Sequence, residues 1–178
     1  MIRIFDPALY FFLQAPARFT LAMLLLLPAP ALAQEQPGYL PEFGCQVPPF
    51  GLRLPAHLQG VMKLAPVRHV EILEVEKWEG YVTTRKYVHF PGLILGLVTF
   101  SNDRTRYMVS RAEVTDARWA EISPFRIGEK TSAVQQKLGL PAEHDPDLKS
   151  SYGSEAGDLR FESSDRKITK IIYDCYTG

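Results

Sequence analysis

The sequence predicts an α+β fold, an antiparallel β-sheet meander with short helices packed on one face. Three observations carry that expectation. Residues from Arg68 to Thr115 are rich in β-branched and aromatic residues broken by turn signals. The stretch "RIGEKTSAVQQKLGLP", Arg126 to Pro141, reads as a short helix with both ends written in. A further pair of alternating segments follows it, and helix plus hairpin is an α+β unit.

In chain order, the first segment is a targeting signal. Arg3 and Arg18 precede the apolar run "LAMLLLLPAPALA", and Ala31, Leu32 and Ala33 supply small residues of the kind accepted at a signal-peptide cleavage site. Residues 1–33 are therefore expected to be a signal peptide and the chain to be periplasmic. The run is too short for a stable membrane span, which needs about 18 apolar residues or more, and no transmembrane span is expected in the mature chain. Without that segment 18 basic and 19 acidic residues remain, a balance that excludes nucleic acid as a partner.

Residues 34–56 carry Pro37, Pro41, Pro48, Pro49 and Pro55, which interrupt hydrogen-bond ladders and predict an extended arm. Cys45 lies in the arm and Cys175 near the other end. In an oxidising compartment two cysteines without a C-x-x-C motif read as one structural disulfide.

The domain proper is expected over 57–178, with a second unit over 123–178. "RHVEILEVEKW" and "YVTTRKYVHF" are strands joined at Glu79-Gly80. In the second, Tyr81, Thr83, Arg85, Tyr87 and His89 share one face. "LILGLVTF" follows Pro91-Gly92 as a strand covered on both faces, and "TRYMVSRAEVT" closes the meander. In the helix, Thr131 or Ser132 is the expected N-cap, with Ser132 and Gln135 at capping-box spacing. Val134 and Leu138 form its buried edge, and Gly139 and Pro141 end it. Leu159 and Phe161 then alternate with polar residues, and "SSDRK" turns into Ile168 to Tyr173. The likeness of "FSNDRTRYMV" to "FESSDRKITKI" adds a second expectation, a tandem of two helix-plus-hairpin units with "PAHLQGVMKLAP" as the first helix.

Gly128 to Pro141 has the spacing G-x5-V-x3-L-G-x-P ahead of a strand pair. Over 125–173 this resembles the SmpA/OmlA-type periplasmic domain, the BamE-like fold that is also similar to the repeats of β-lactamase inhibitory protein. The resemblance implies a helical layer over a small antiparallel sheet and a role in protein recognition or envelope assembly. Lys130 replaces the usual Ser or Thr cap, the hairpin turn lacks Gly, and no lipid-bearing Cys opens the mature chain.

No nucleophile elbow, H-E-x-x-H, phosphate loop or paired C-x-x-C is present, so no catalytic residue, metal ligand or cofactor is assigned. His57, His69, His89 and His144 are scattered, and "EHDPD", Glu143 to Asp147, reads as a solvated loop. Tyr81, Arg85, Tyr87 and Tyr152 are the expected protein contacts, since Tyr and Arg are enriched at hot spots. Trp78 and Trp119 are expected to anchor packing. The function expected is that of a non-enzymatic periplasmic binding module for an unidentified envelope or periplasmic protein, as an inhibitor or immunity-type protein. An accessory factor in outer-membrane assembly is the alternative, and a small metal-dependent hydrolase the third.

Overall fold

The alternating segments of the sequence form a seven-stranded antiparallel sheet in a computed structural model that describes residues 38–141, 145–148 and 151–177. The expected signal peptide, 1–33, and Glu143 and His144 of the acidic loop lie outside the described residues. The described residues belong to the unit Glu35–Gly178. The strands are β1 His69–Trp78, β2 Tyr81–Phe90, β3 Leu93–Phe100, β4 Tyr107–Val114, β5 Tyr152–Ser154, β6 Gly157–Ser164 and β7 Lys167–Cys175. Their order is β1-β2-β3-β4-β7-β6-β5.

This corrects the α+β expectation: the fold is predominantly β. The helix α1, Leu58–Val61, is a single turn, and α2, Thr131–Lys137, has seven residues. Such short helices gain little from their own hydrogen bonds and depend on packing. A tandem of two units is also excluded as the organising plan. Strand β4 pairs with β7 from Arg111↔Asp174 to Val114↔Ile171, so both halves of the chain share one sheet and one core. The two loops behind the sequence echo differ as well. The Asp103 carboxylate accepts from the Thr105 and Arg106 amides in one, whereas Asp165 and Arg166 make a two-residue turn with φ of 52° and 59° in the other.

One face of the sheet is the core. Its rows include Val88 and Phe90, then Leu93, Leu95 and Leu97, then Ala112 and Val114, then Ile171 and Tyr173, then Leu159 and Phe161. The helices cannot cover so broad a face, and the proline-rich arm does much of the covering with buried Leu40, Phe43 and Leu52. The arm is thus part of the core, not an outer wrapping. It is tied down at Leu40, whose amide donates to the Gly153 carbonyl at 2.7 Å, and at Cys45, bonded to Cys175 with an S–S distance of 1.98 Å. Trp119 packs edge-on against Phe90, and its indole N–H donates to the Pro91 carbonyl at 2.9 Å. The buried Tyr173 hydroxyl is paired, 3.0 Å from Ser123 Oγ, and burial pushes its pKa far above the ordinary tyrosine range.

The start of α2 differs from the expected cap. Lys130 is the N-cap and makes no side-chain capping bond, while Thr131 and Gln135 are buried. The β6–β7 turn does the capping instead, since the Thr131 amide donates to the Arg166 carbonyl at 3.0 Å. The end is as the sequence implies. Gly139 has φ +70°, its amide reaches the Gln136 carbonyl at 3.1 Å, and the Leu140 amide reaches the Gln135 carbonyl at 3.0 Å, the two bonds of a Schellman motif. β5 was not anticipated. Its three residues lie in the segment between α2 and β6 and lack a long alternating pattern.

The bridge closes a loop with a sequence separation of 130. Cys45→Ser and Cys175→Ser are expected to lower stability equally, by about 2–4 kcal/mol, with the double variant no worse, as measured by chemical denaturation. Unequal losses would contradict a shared bridge as the cause. Gly139→Val is expected to cost about 1 kcal/mol, because nothing crowds the position and only the left-handed backbone is at stake. An unchanged thermal midpoint would refute that account.

Candidate functional site

The core takes one face of the sheet, and the other carries the candidate site. Strand pairing sets its rows: Glu71↔Tyr87↔Gly96↔Arg111↔Asp174 runs across five strands, and Glu74↔Arg85↔Val98 runs beside it. This face explains a half-correct expectation for β3. Its inner residues Leu93, Leu95 and Leu97 are buried in the core, while on the outer side, apart from the core cluster, Val98 is buried and Ile94 only half-buried.

A shallow cleft of about 250 Å³ opens on this face, lined by Leu73, Arg85, Tyr87, Ser110, Arg111 and Asp174 among others. Gly96 makes room for it. A Cβ there would stand 3.0 Å from the Tyr87 ring and 2.8 Å from Ser110 Oγ, so the Tyr87 ring lies where a side chain would otherwise be. The cleft floor is an ion network. Arg111 donates to Glu113 Oε1 at 2.7 Å and to Asp174, which Arg160 also engages. Burial works against the Arg111 charge, but its bonds to Glu113 and Asp174 outweigh that and raise its pKa.

Of the contact residues expected from sequence, Arg85 and Tyr87 meet in this cleft. Arg85 lies 3.5 Å from Glu74 across the β1–β2 ladder. Tyr81 stands apart in an aromatic group, with ring centroids 6.3 Å from Trp78 and 6.2 Å from Phe100. Tyr152 is no contact residue. It is 0% exposed on the core face of β5, packs against Phe161, and its hydroxyl reaches Asp145 Oδ2 at 3.3 Å. The short strand β5, paired with β6 at Tyr152↔Leu159, turns it inward, and no alternating pattern in the sequence announces that strand. Trp78 moves the other way: expected as an anchor, it is 55% exposed, its N–H donating to Thr83 Oγ1 at 3.3 Å.

Sequence reasoning found β1 as a strand but missed its exposure. All ten of its residues are exposed, among them the apolar Val70, Ile72, Leu73, Val75 and Trp78. Val70, Ile72 and Val75 fall on the core side, beyond the edge of the core, and Glu71, Glu74 and Glu76 on the outer side. The signal was present in "VEILEVE", where Glu alternates with apolar residues, but alternation is also what an ordinary half-buried strand displays. Lys86, opposite Ile72, lies on the apolar side, and burial lowers its pKa.

The histidines are not all scattered. His69 and His89 are cross-strand partners with ring centroids 5.5 Å apart, and Glu71 Oε2 lies 3.8 Å from His89 Nε2, a buried atom with no hydrogen-bond partner among the described residues. Among the described residues no group of three or more His, Cys, Asp or Glu side chains is placed to hold a metal ion. No described helix is long and apolar enough to cross a membrane.

Compared with known proteins, the chain matches no family model, and neither the curated proteins nor the solved structures contain a significant match to it.

Two outcomes follow from this geometry. Gly96→Val is expected to displace the Tyr87 ring and to lower stability by about 1–3 kcal/mol, read by denaturation; a silent substitution would contradict the close packing over Gly96. For Lys86 the folded-state pKa lies below its unfolded value, so its charge weakens the fold wherever the ammonium persists in both states. That penalty fades as pH rises through the folded pKa toward the unfolded value of about 10.4. Lys86→Met should therefore be more stable than the parent at neutral pH, with the gap narrowing near the alkaline end; a gap independent of pH would contradict the cause.

Proposed function

We propose that this chain is an exported, non-enzymatic protein-recognition module acting in the periplasm, of the inhibitor or immunity type, whose contact surface is the β1–β2 hairpin and the cleft beside it. The observation that carries the reading is the clustering of exposed large apolar side chains on one hairpin: five of the eight among the described residues belong to β1. Scattered exposed apolar residues need no explanation, whereas a grouped set rimmed by charge marks an interaction surface. The hairpin also carries Trp78, Tyr81 and Arg85, residue types that dominate binding energy where they occur at interfaces. The Cys45–Cys175 bond supports an extracytoplasmic setting, since such bonds persist in oxidising compartments. The resemblance over 125–173 to an inhibitor-like domain points the same way.

The test is affinity capture by the protein, expressed from the full chain, out of periplasmic and envelope fractions, with Trp78→Ala/Arg85→Ala as the control. The expected result is one stoichiometric soluble enzyme or toxin, inhibited by the wild type and released by the double variant, with a loss of about tenfold or more in affinity. Capture of outer-membrane assembly components would favour the accessory role instead. Capture unaffected by the double variant would refute the hairpin as the contact surface.

A further inference from the structure

The two edges of the sheet are treated differently. The β5 edge is short and occupied: Leu40 donates to the Gly153 carbonyl at 2.7 Å, and Gly153 donates to the Gly38 carbonyl at 2.8 Å. The β1 edge runs for ten residues, and among the described residues no backbone group pairs with its outer side. An antiparallel strand directs only part of its amides and carbonyls at its one neighbour, so the rest of β1 offers a template for a further strand.

The side chains of β1 specify what that strand must be. Toward the core side it offers Val70, Ile72 at 64% exposure and Val75 at 55%. Toward the outer side it offers Glu71, Glu74 and Glu76, of which Arg85 engages only Glu74 and Thr83 donates to Glu76 at 3.3 Å. A second copy is a poor occupant. Antiparallel self-pairing continues each face of the sheet into the same face of its copy, which would set the three carboxylates among their own equivalents. A segment alternating apolar residues with Lys or Arg satisfies both faces at once.

We infer that β1 is an acceptor edge that binds an extended segment of a partner protein as an eighth strand, with apolar residues laid over Val70, Ile72 and Val75 and basic residues opposite Glu71, Glu74 and Glu76. This rests on the recognition reading above and specifies its mode, main-chain hydrogen bonding for affinity and alternate side chains for specificity. The bulge at Leu73, between the pairs Ile72↔Lys86 and Glu74↔Arg85, turns that side chain toward the cleft holding Arg85 and Tyr87. The added strand therefore lies along the rim of the cleft, and a partner seated on both would touch the two Sequence-expected contacts that the structure brings together.

The test uses fluorescent peptides of about ten residues, one alternating Val with Lys, one alternating Val with Glu, and two copies of the first N-methylated at all Val or at all Lys residues. Binding is read by anisotropy. The expected result is a preference for the Val/Lys peptide of about tenfold or more. Ile72→Lys/Val75→Lys should weaken it by a similar factor, and Glu71→Lys/Glu74→Lys/Glu76→Lys should invert the preference toward the Val/Glu peptide. One N-methylated copy should lose binding, since one set of amides faces β1. The substituted residues are exposed, and unchanged circular dichroism would confirm retained folding. Equal binding of both N-methylated copies and the parent peptide would overturn the inference by exposing simple charge attraction. So would the absence of binding by any peptide, or a dimer in sedimentation that Ile72→Lys abolishes. Peptide failure alongside successful, hairpin-dependent capture would remove the strand mode and leave the recognition reading standing; failure of both would remove both.

Discussion

The short pairing of β4 with β7 is the constraint on which the rest of the molecule depends. Four residue pairs, Arg111↔Asp174 to Val114↔Ile171, join the first four strands to the last three. On the core side this places Ala112 and Val114 against Tyr173 and Ile171, four residues that are nearly or fully buried. On the outer side it places Arg111 beside Asp174 and so creates the ion network under the cleft. The Cys45–Cys175 bond sits at the end of the same strand, where it holds the arm over the core. A chain whose contacts are so widely separated in sequence loses much conformational entropy on closing them, and the cross-link removes part of that loss from the unfolded state.

Coverage of the core then follows from a shortage of helix. Only α1, α2 and the 3-10 turn Ala117–Trp119 are available among the described residues, so the arm supplies Leu40, Phe43 and Leu52. Those layers stop short of β1. Its apolar residues are left outside the core while its ladder to β2 runs from His69↔His89 to Trp78↔Tyr81, broken by the bulge at Leu73. Stability and the proposed contact surface are in this sense one allocation: the apolar side chains that the core does not take up are the ones presented on the hairpin.

The outer face has a different economy. Antiparallel sheets tolerate one solvated face, and here it is laced with charge, Glu113, Arg111, Asp174 and Arg160 in one connected group. Such a network sets the positions of its half-buried members without contributing much net stability, because loss of hydration offsets the attraction between the charges. Its value lies in fixing the cleft floor beside Tyr87 and Arg85.

Local pattern was enough to read much of this from the residues. Alternation identified the strands of the meander and of the second hairpin, because side chains project to opposite faces with a period of two. Gly139 marked the end of α2 because a left-handed residue is needed there, and the pairing of Cys45 with Cys175 followed from there being two cysteines in a chain read as exported. What only the tertiary structure decided was which faces meet water. Tyr152 went into the core and Trp78 out of it, and the α+β reading gave way to a mostly β sheet, because strand order, the edge position of β1 and the β4–β7 junction arise from pairings between distant segments. Periodicity states that a strand has two faces; burial of each is settled by what the rest of the chain lays over it.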